Sequence, residues 1–279
     1  MQAASEMSTH AAAPLDAPFG RVCAVLVGTQ HPGNIGAAAR ALKTMGFGRL
    51  VLVTPERFPH PEALALAAGA DDLLASALRF DTLAEAVADC RLVLGCTARS
   101  RRIALEELSP RAAAARSLAV ARSGADVAVV FGRERTGLDN DELQLCHAAV
   151  HIPANPDYSS LNLAAAVQVL AYELRVMFSM DSASNVPAVA LAQPVDQARK
   201  EPPATHAELE SFFAQLADTL DAIDFHKGRT PETAMRKLRR IFLRAEPDAR
   251  ELRLLRGVLA DAQRMARLAG QAASPERDD

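Results

Sequence analysis

Short apolar runs punctuate the first half of the chain. They fall at 22–27 (VCAVLV), 50–53 (LVLV), 92–94 (LVL) and 127–131 (VAVVF), with a shorter one at 150–152. Runs of this length without polar alternation suit strands buried on both faces, as in a parallel sheet. The stretches between them carry helical signals. A helix is expected over 34–45, ended by Gly46, and a helix-rich piece over 61–78. Asp81 reads as the N-cap of a helix running to Ala88, and Ser109 as the N-cap of another with Pro110 in its first turn. Further helices are expected over 139–146 and, long and Ala-rich, over 161–177. Strand and helix thus alternate. This predicts an α/β fold, a doubly wound parallel sheet with helices on both faces. Ligands of such sheets sit beyond the C-terminal ends of the strands, so the loops that follow strands are where chemistry should be sought.

The pattern changes after residue 180. The stretch 181–203 holds Pro187, Pro194, Pro202 and Pro203 among Ser and Asn residues, a linker composition. Beyond it, Leu209, Phe212, Phe213, Leu216 and Leu220 recur at helical spacing over 206–223. Thr230-Pro231-Glu232 opens a second helix, and Glu246-Pro247 separates it from a third. The expected organisation is a tail over 1–19, an α/β domain over 20–178, a Pro-rich linker over 179–205, a helical extension over 206–270 and a short tail over 271–279. The N-terminus has neither the basic start nor the apolar run of a signal peptide. No stretch approaches the roughly twenty uninterrupted apolar residues of a membrane span. A cytoplasmic protein outside the membrane is expected.

Composition narrows the chemistry. The cysteines, Cys23, Cys90, Cys96 and Cys146, never stand at CxxC spacing, and the seven histidines form no HExxH. Free thiols and no metal site are therefore expected. Aromatics are 4% and Trp is absent, so a surface that stacks single-stranded bases on aromatic rings is not evident. The net charge of −3 is a poor signature for a nucleic-acid binder, but the charge is unevenly spread. From 225 to 256 there are ten Lys and Arg against four acids, a surplus of six positive charges. Met235, Leu238 and Phe242 form an apolar stripe within this segment. Packing on that stripe would leave Arg236, Lys237, Arg239, Arg240 and Arg244 as a basic face toward RNA phosphates.

Four loops carry candidate chemistry. The first, 28–36 (GTQHPGNIG), joins strand to helix. Glu56 lies about twenty residues past it, as in a dinucleotide loop, but Gly28 and Gly33 stand too far apart for that fingerprint. Arg40 lies one helical turn past Gly36 on the same side, among alanines. The second loop, 95–102 (GCTARSRR), sets small residues that admit a ligand to the backbone beside Arg99, Arg101 and Arg102, which suit phosphate. The third is 131–138 (FGRERTGL). The fourth, 152–162 (IPANPDYSSLN), runs into a helix start, with Ser159 or Ser160 as N-cap and Asn162 in the first turn. Unpaired N–H groups there make a natural ligand cradle.

In order along the chain, GNIGAAARA, VFGRERTGL and YSSLNLAAAVQVLAYEL resemble the three motifs of the SPOUT superfamily of RNA methyltransferases. The resemblance is closest to the bacterial TrmJ group and runs from about residue 22 to 177. It resumes at MRKLRRIFLRAEP and ELRLLRGVLADAQ, a tail characteristic of that group. The resemblance implies a Rossmann-like SPOUT fold with a trefoil knot over 127–177, an exception to the rule that chains avoid knots. It implies 2′-O-ribose methylation of tRNA with S-adenosylmethionine as donor, at cytidine or uridine 32 of the anticodon loop. Ribosomal RNA methylation, or an inactive RNA-binding protein of the same fold, are the alternatives. Cys96, Thr97, Ala98, Gly132, Ile152, Ser159, Ser160 and Leu161 would line the donor pocket. Arg40 would orient the hydroxyl or its neighbouring phosphate and stabilise alkoxide charge, with Asn34, Glu134 and Asn162 in support. The resemblance also implies a homodimer whose active site is built across the two-fold interface.

Overall fold

The computed structural model describes residues 18–98, 105–183, 203–228 and 230–272. Most of the expected linker, most of both expected tails, and Arg99, Arg101 and Arg102 lie outside the described residues; Pro18 and Phe19 of the first tail belong to a 3-10 turn that leads into the sheet domain.

Among the described residues, seven strands form one all-parallel sheet: β1 (Val22–Val27), β2 (Leu50–Val53), β3 (Leu78–Phe80), β4 (Cys90–Cys96), β5 (Glu106–Leu108), β6 (Asp126–Phe131) and β7 (Ala148–Val150). Their order across the sheet is β3-β2-β1-β6-β4-β7-β5. In β1, Val22, Ala24 and Leu26 enter one core, and Cys23, Val25 and Val27 enter the other. Burial on both faces is why these strands read as unbroken apolar runs. The first face is covered by α1 (Pro32–Thr44), α5 (Pro110–Arg122) and α7 (Leu163–Ala183), and α1 packs in turn on α2 (Pro61–Ala67). The second is covered by α4 (Leu83–Ala86) and α6 (Asn140–Gln144), through Leu83 and Leu143.

Several local readings need correction. The helix-rich piece over 61–78 breaks into α2 and α3 (Asp71–Ala75), and its last residue, Leu78, begins β3. Thr82, not Asp81, caps α4: its hydroxyl accepts from the Glu85 backbone N–H while the Glu85 carboxylate accepts from the Thr82 N–H. The reciprocal bond satisfies two helix-end donors at once, which Asp81 cannot do from one residue further out. Helix α1 starts two residues ahead of expectation because Pro32 fits its first turn. At the other end Gly46, with φ of 81°, supplies the left-handed turn that stops it. The start of α7 is capped by Asn162, whose Oδ1 accepts from the backbone N–H of Ala164 at 2.9 Å, not by Ser159 or Ser160.

The C-terminal part consists of α8 (His206–Ala222), α9 (Pro231–Ala245) and α10 (Ala249–Ala272). It has its own core of Leu209, Phe212, Phe213, Leu216, Leu220, Leu243 and Leu252. Among the described residues, contacts such as the following fasten it to the sheet domain. The Ala207 N–H donates to the Ala88 carbonyl at 3.0 Å. Arg116 on α5 pairs with Glu246 at 2.6 Å and with Glu106 at 2.9 Å. The rings of His147 and His206 meet edge-on at 6.5 Å between centroids. Among the described residues, one helical stretch, Leu163–Met180, is long and apolar enough to cross a membrane. Its Leu163, Val167, Leu170, Ala171, Leu174 and Phe178 are buried against the sheet, the packing of a core helix.

Candidate active site

The C-terminal ends of β4, β6 and β7 open onto one cavity of about 440 Å³. Its wall is made by three of the four loops singled out above. Cys96 ends β4 and Thr97 and Ala98 follow it, Gly132 follows β6, Ile152 follows β7, and Ser159, Ser160 and Leu161 precede α7. Phe131, Arg133, Glu134, Arg135, Thr136, Gly137, Leu163 and Ala166 complete the lining. Six of these eight lie in the candidate loop 131–138, but of the eight only Glu134 had an individual role, and that from the resemblance. Their common signal was position, either at the end of the sheet's central apolar run and on the loop directly after it, or on the first turns of α7.

The loop after β6 has a shape that its sequence enforces. A Cβ on Gly132 would lie 2.2 Å from both the Gly137 carbonyl carbon and the Leu138 nitrogen, so only glycine allows the loop to fold back on itself. The Gly137 N–H donates to the Arg133 carbonyl at 2.8 Å and closes the turn. The Arg133 guanidinium reaches Glu142 on α6 at 2.9 Å. Its stem fills the space a side chain at Gly28 would need, since a Cβ there would sit 2.7 Å from Arg133 Nε.

Beside the cavity, the first, third and fourth loops are joined by hydrogen bonds. Glu134 accepts from the backbone N–H of Gln30 at 3.0 Å, from that of His31 at 3.1 Å, and from Asn34 Nδ2 at 2.9 Å. Asn34 Oδ1 accepts from Asn162 Nδ2 at 3.0 Å. Burial alone would push the Glu134 carboxyl up, but the bonds from Asn34, Gln30 and His31 outweigh it and hold the carboxyl below its usual range. Glu134 is therefore an anion with its lone pairs engaged, a clamp between loops and a poor proton acceptor. Cys96 is the reverse case: burial pushes its thiol up to about 12, so it presents a neutral wall.

Arg40 is not among the residues that line the cavity. It is exposed on α1, one turn past Gly36, and its side chain has no hydrogen bond or ion pair among the described residues. Gly36 itself is pressed on α2, where a Cβ would fall 2.0 Å from the Ala63 carbonyl oxygen. Of the basic residues expected on the extension, Arg236, Lys237, Arg240 and Arg244 are exposed on α9. Arg239 is not on that face. It forms a two-pronged ion pair with Glu210 and lies 4.3 Å over the Phe213 ring, because the apolar stripe that packs α9 on α8 takes it along. No cluster of three or more potential metal ligands occurs among the described residues.

Residues 21–172 match the SpoU rRNA methylase family, and residues 207–271 match the C-terminal domain of the tRNA methyltransferase TrmJ. The chain is 48% identical to the tRNA (cytidine/uridine-2′-O-)-methyltransferase TrmJ of Yersinia pestis, over 86% of this chain and 90% of that protein. It is 46% identical to the tRNA (cytidine/uridine/adenosine-2′-O-)-methyltransferase TrmJ of Pseudomonas aeruginosa, over 88% of this chain and 95% of that one. Among solved structures, TrmJ from Zymomonas mobilis superposes with a TM-score of 0.72 at 35% identity, over 86% of this chain and 97% of that one.

Proposed function

The chain belongs to the SpoU rRNA methylase family and carries a TrmJ C-terminal domain, and from that membership we propose its activity and the roles of its residues. It is a tRNA 2′-O-methyltransferase that uses S-adenosylmethionine, and its target is cytidine or uridine 32 of the anticodon loop. The observation that carries the reading is the pairing of a methylase domain with a TrmJ tail in one chain, with relatives named for tRNA 2′-O-methylation along most of its length. It acts in the cytoplasm.

The cavity suits the donor. Its volume of about 440 Å³ lies in the range of small-molecule sites. Small side chains at Ala98, Gly132, Ser159 and Ser160 let an adenosine approach the backbone, and Phe131, Ile152 and Leu161 give it apolar faces. S-adenosylmethionine brings a methyl group already activated on sulfonium, so the protein's task is chiefly to position the acceptor. Arg40 orients the ribose hydroxyl or the adjacent phosphate and stabilises negative charge as it develops on oxygen. A guanidinium holds its proton too tightly to act easily as a base. Asn34, Glu134 and Asn162 fix the loops relative to one another.

The enzyme works as a homodimer, its site completed across a two-fold interface. Residues 127–177 thread the trefoil knot. Mapping 2′-O-methylation in tRNA and ribosomal RNA from cells with and without the protein tests the activity: a single tRNA mark at position 32 is expected to vanish. Loss of a ribosomal mark instead would overturn the substrate assignment. Sedimentation at assay concentration should give a dimer, and an active monomer would refute the shared site.

A further inference from the structure

Two arginines flank Glu134 in the loop after β6, and their surroundings differ sharply. Arg133 is paired with Glu142 at 2.9 Å, and its stem lies against Gly28. Arg135 also lines the cavity, but it is exposed and has no hydrogen bond or ion pair among the described residues. The neighbouring carboxylate cannot neutralise it, because Glu134 is engaged by Gln30, His31 and Asn34. Nor can the arginine swing far on its backbone. The close approach of Gly132 to Gly137 and Leu138, and the bond from the Gly137 N–H to the Arg133 carbonyl, fix the turn at whose tip Arg135 stands.

We propose that Arg135 is a substrate-binding residue that receives the RNA phosphate next to the ribose being methylated. This rests on the 2′-O-methylation reading. Every internal ribose 2′-hydroxyl has a phosphate on the neighbouring 3′-oxygen, so a hydroxyl delivered to the mouth of this cavity brings an anion with it. An unpaired guanidinium fixed at the rim meets that anion with a fork of donors. Its place at the exposed rim favours the polymer over the donor's own carboxylate, which would need an inward-facing partner. The paired roles also account for two arginines so close together: Arg133 holds the loop, and the loop holds Arg135 out.

The test uses the full-length protein with Arg135→Ala, Arg135→Lys and Arg133→Ala. Arg135→Ala should raise the KM for tRNA by about tenfold with S-adenosylmethionine affinity unchanged. It should flatten the log–log salt dependence of tRNA affinity by roughly 0.7 to 0.9 units, the signature of one lost phosphate contact. Arg135→Lys should restore the salt slope and part of the KM. Arg133→Ala should lower the melting temperature, which Arg135→Ala should not. An unchanged salt slope and KM in folded Arg135→Ala overturns the proposal. Loss of donor affinity with the slope intact overturns it too, by assigning Arg135 to the donor carboxylate. Failure of the underlying activity would be seen separately, as absence of 2′-O-methyl product with the unmodified protein.

Discussion

Glu134 accepts from two backbone N–H groups and from the Asn34 amide, and Asn34 passes the connection on to Asn162. Three distant stretches of chain thus share one hydrogen-bonded chain of side chains. Arg40, by contrast, has nothing to hold among the described residues. Their substitutions should separate accordingly. Arg40→Ala should reduce turnover by about two orders of magnitude or more, the scale of losing one charge-stabilising donor, with donor affinity and melting temperature near those of the unmodified protein. Glu134→Gln should lower stability by roughly 1–3 kcal/mol as well as activity, because the charged acceptor of several N–H groups is gone. Calorimetry of donor binding, single-turnover rates and thermal melts on both variants would decide. An Arg40→Ala enzyme with undiminished turnover would remove that residue from the mechanism.

The basic surplus of the extension divides once α9 is seen packed. Arg236, Lys237, Arg240 and Arg244 face outward, while Arg239 is sandwiched between Glu210 and the Phe213 ring. Replacing Arg236, Lys237 and Arg240 together with Ala should weaken tRNA binding and flatten its salt dependence, with the fold intact. Arg239→Ala should act through stability, costing roughly 1–3 kcal/mol by leaving a partly buried carboxylate unpaired. Melting curves set beside binding isotherms at several salt concentrations would separate the two effects. A triple variant with unaltered affinity and slope would mean that RNA is held elsewhere. Sequence spacing did not reveal Arg239's place because a three-residue stripe defines a helix face only to within one position. The strands show the same boundary between legible and illegible. The central ones are buried on both sides and announce themselves as apolar runs. The sheet's edges, β3 and β5, are three residues each, LRF and EEL, mostly exposed, and carry no such signal. Position after strands pointed to the loops that wall the cavity, and the resemblance to SPOUT motifs picked out the residues within them. The Glu134–Asn34–Asn162 linkage joins residues about a hundred or more positions apart, and no local pattern encodes their meeting.

Between the sheet domain and the extension lies a pair of histidines that cannot easily be charged. Burial first, then the positive fields of His206 and Arg116, lowers His147 to about 3. Burial also lowers His206, whose ring nitrogens have no hydrogen-bond partner, although Glu210 stands 3.7 Å away and pulls the other way. An unfolded histidine titrates near 6.5, so as pH falls below that value the unfolded chain takes up protons that the folded one refuses. Stability contributed by these groups is therefore full above about pH 6.5 and declines toward pH 3. Thermal melts should drop between pH 7.5 and 5, and His206→Phe should make that drop shallower. Equal pH sensitivity in the variant would show that other groups govern it. The sheet order has a consequence of another kind, in time. Strand β6 sits between β1 and β4, yet it follows both along the chain. While the ribosome is still short of residue 126, the facing edges of β1 and β4 have no partner. Such edges invite pairing with other nascent chains. The middle of the sheet closes only once β6 has been made, so the half-made chain exposes strand edges that the finished one hides.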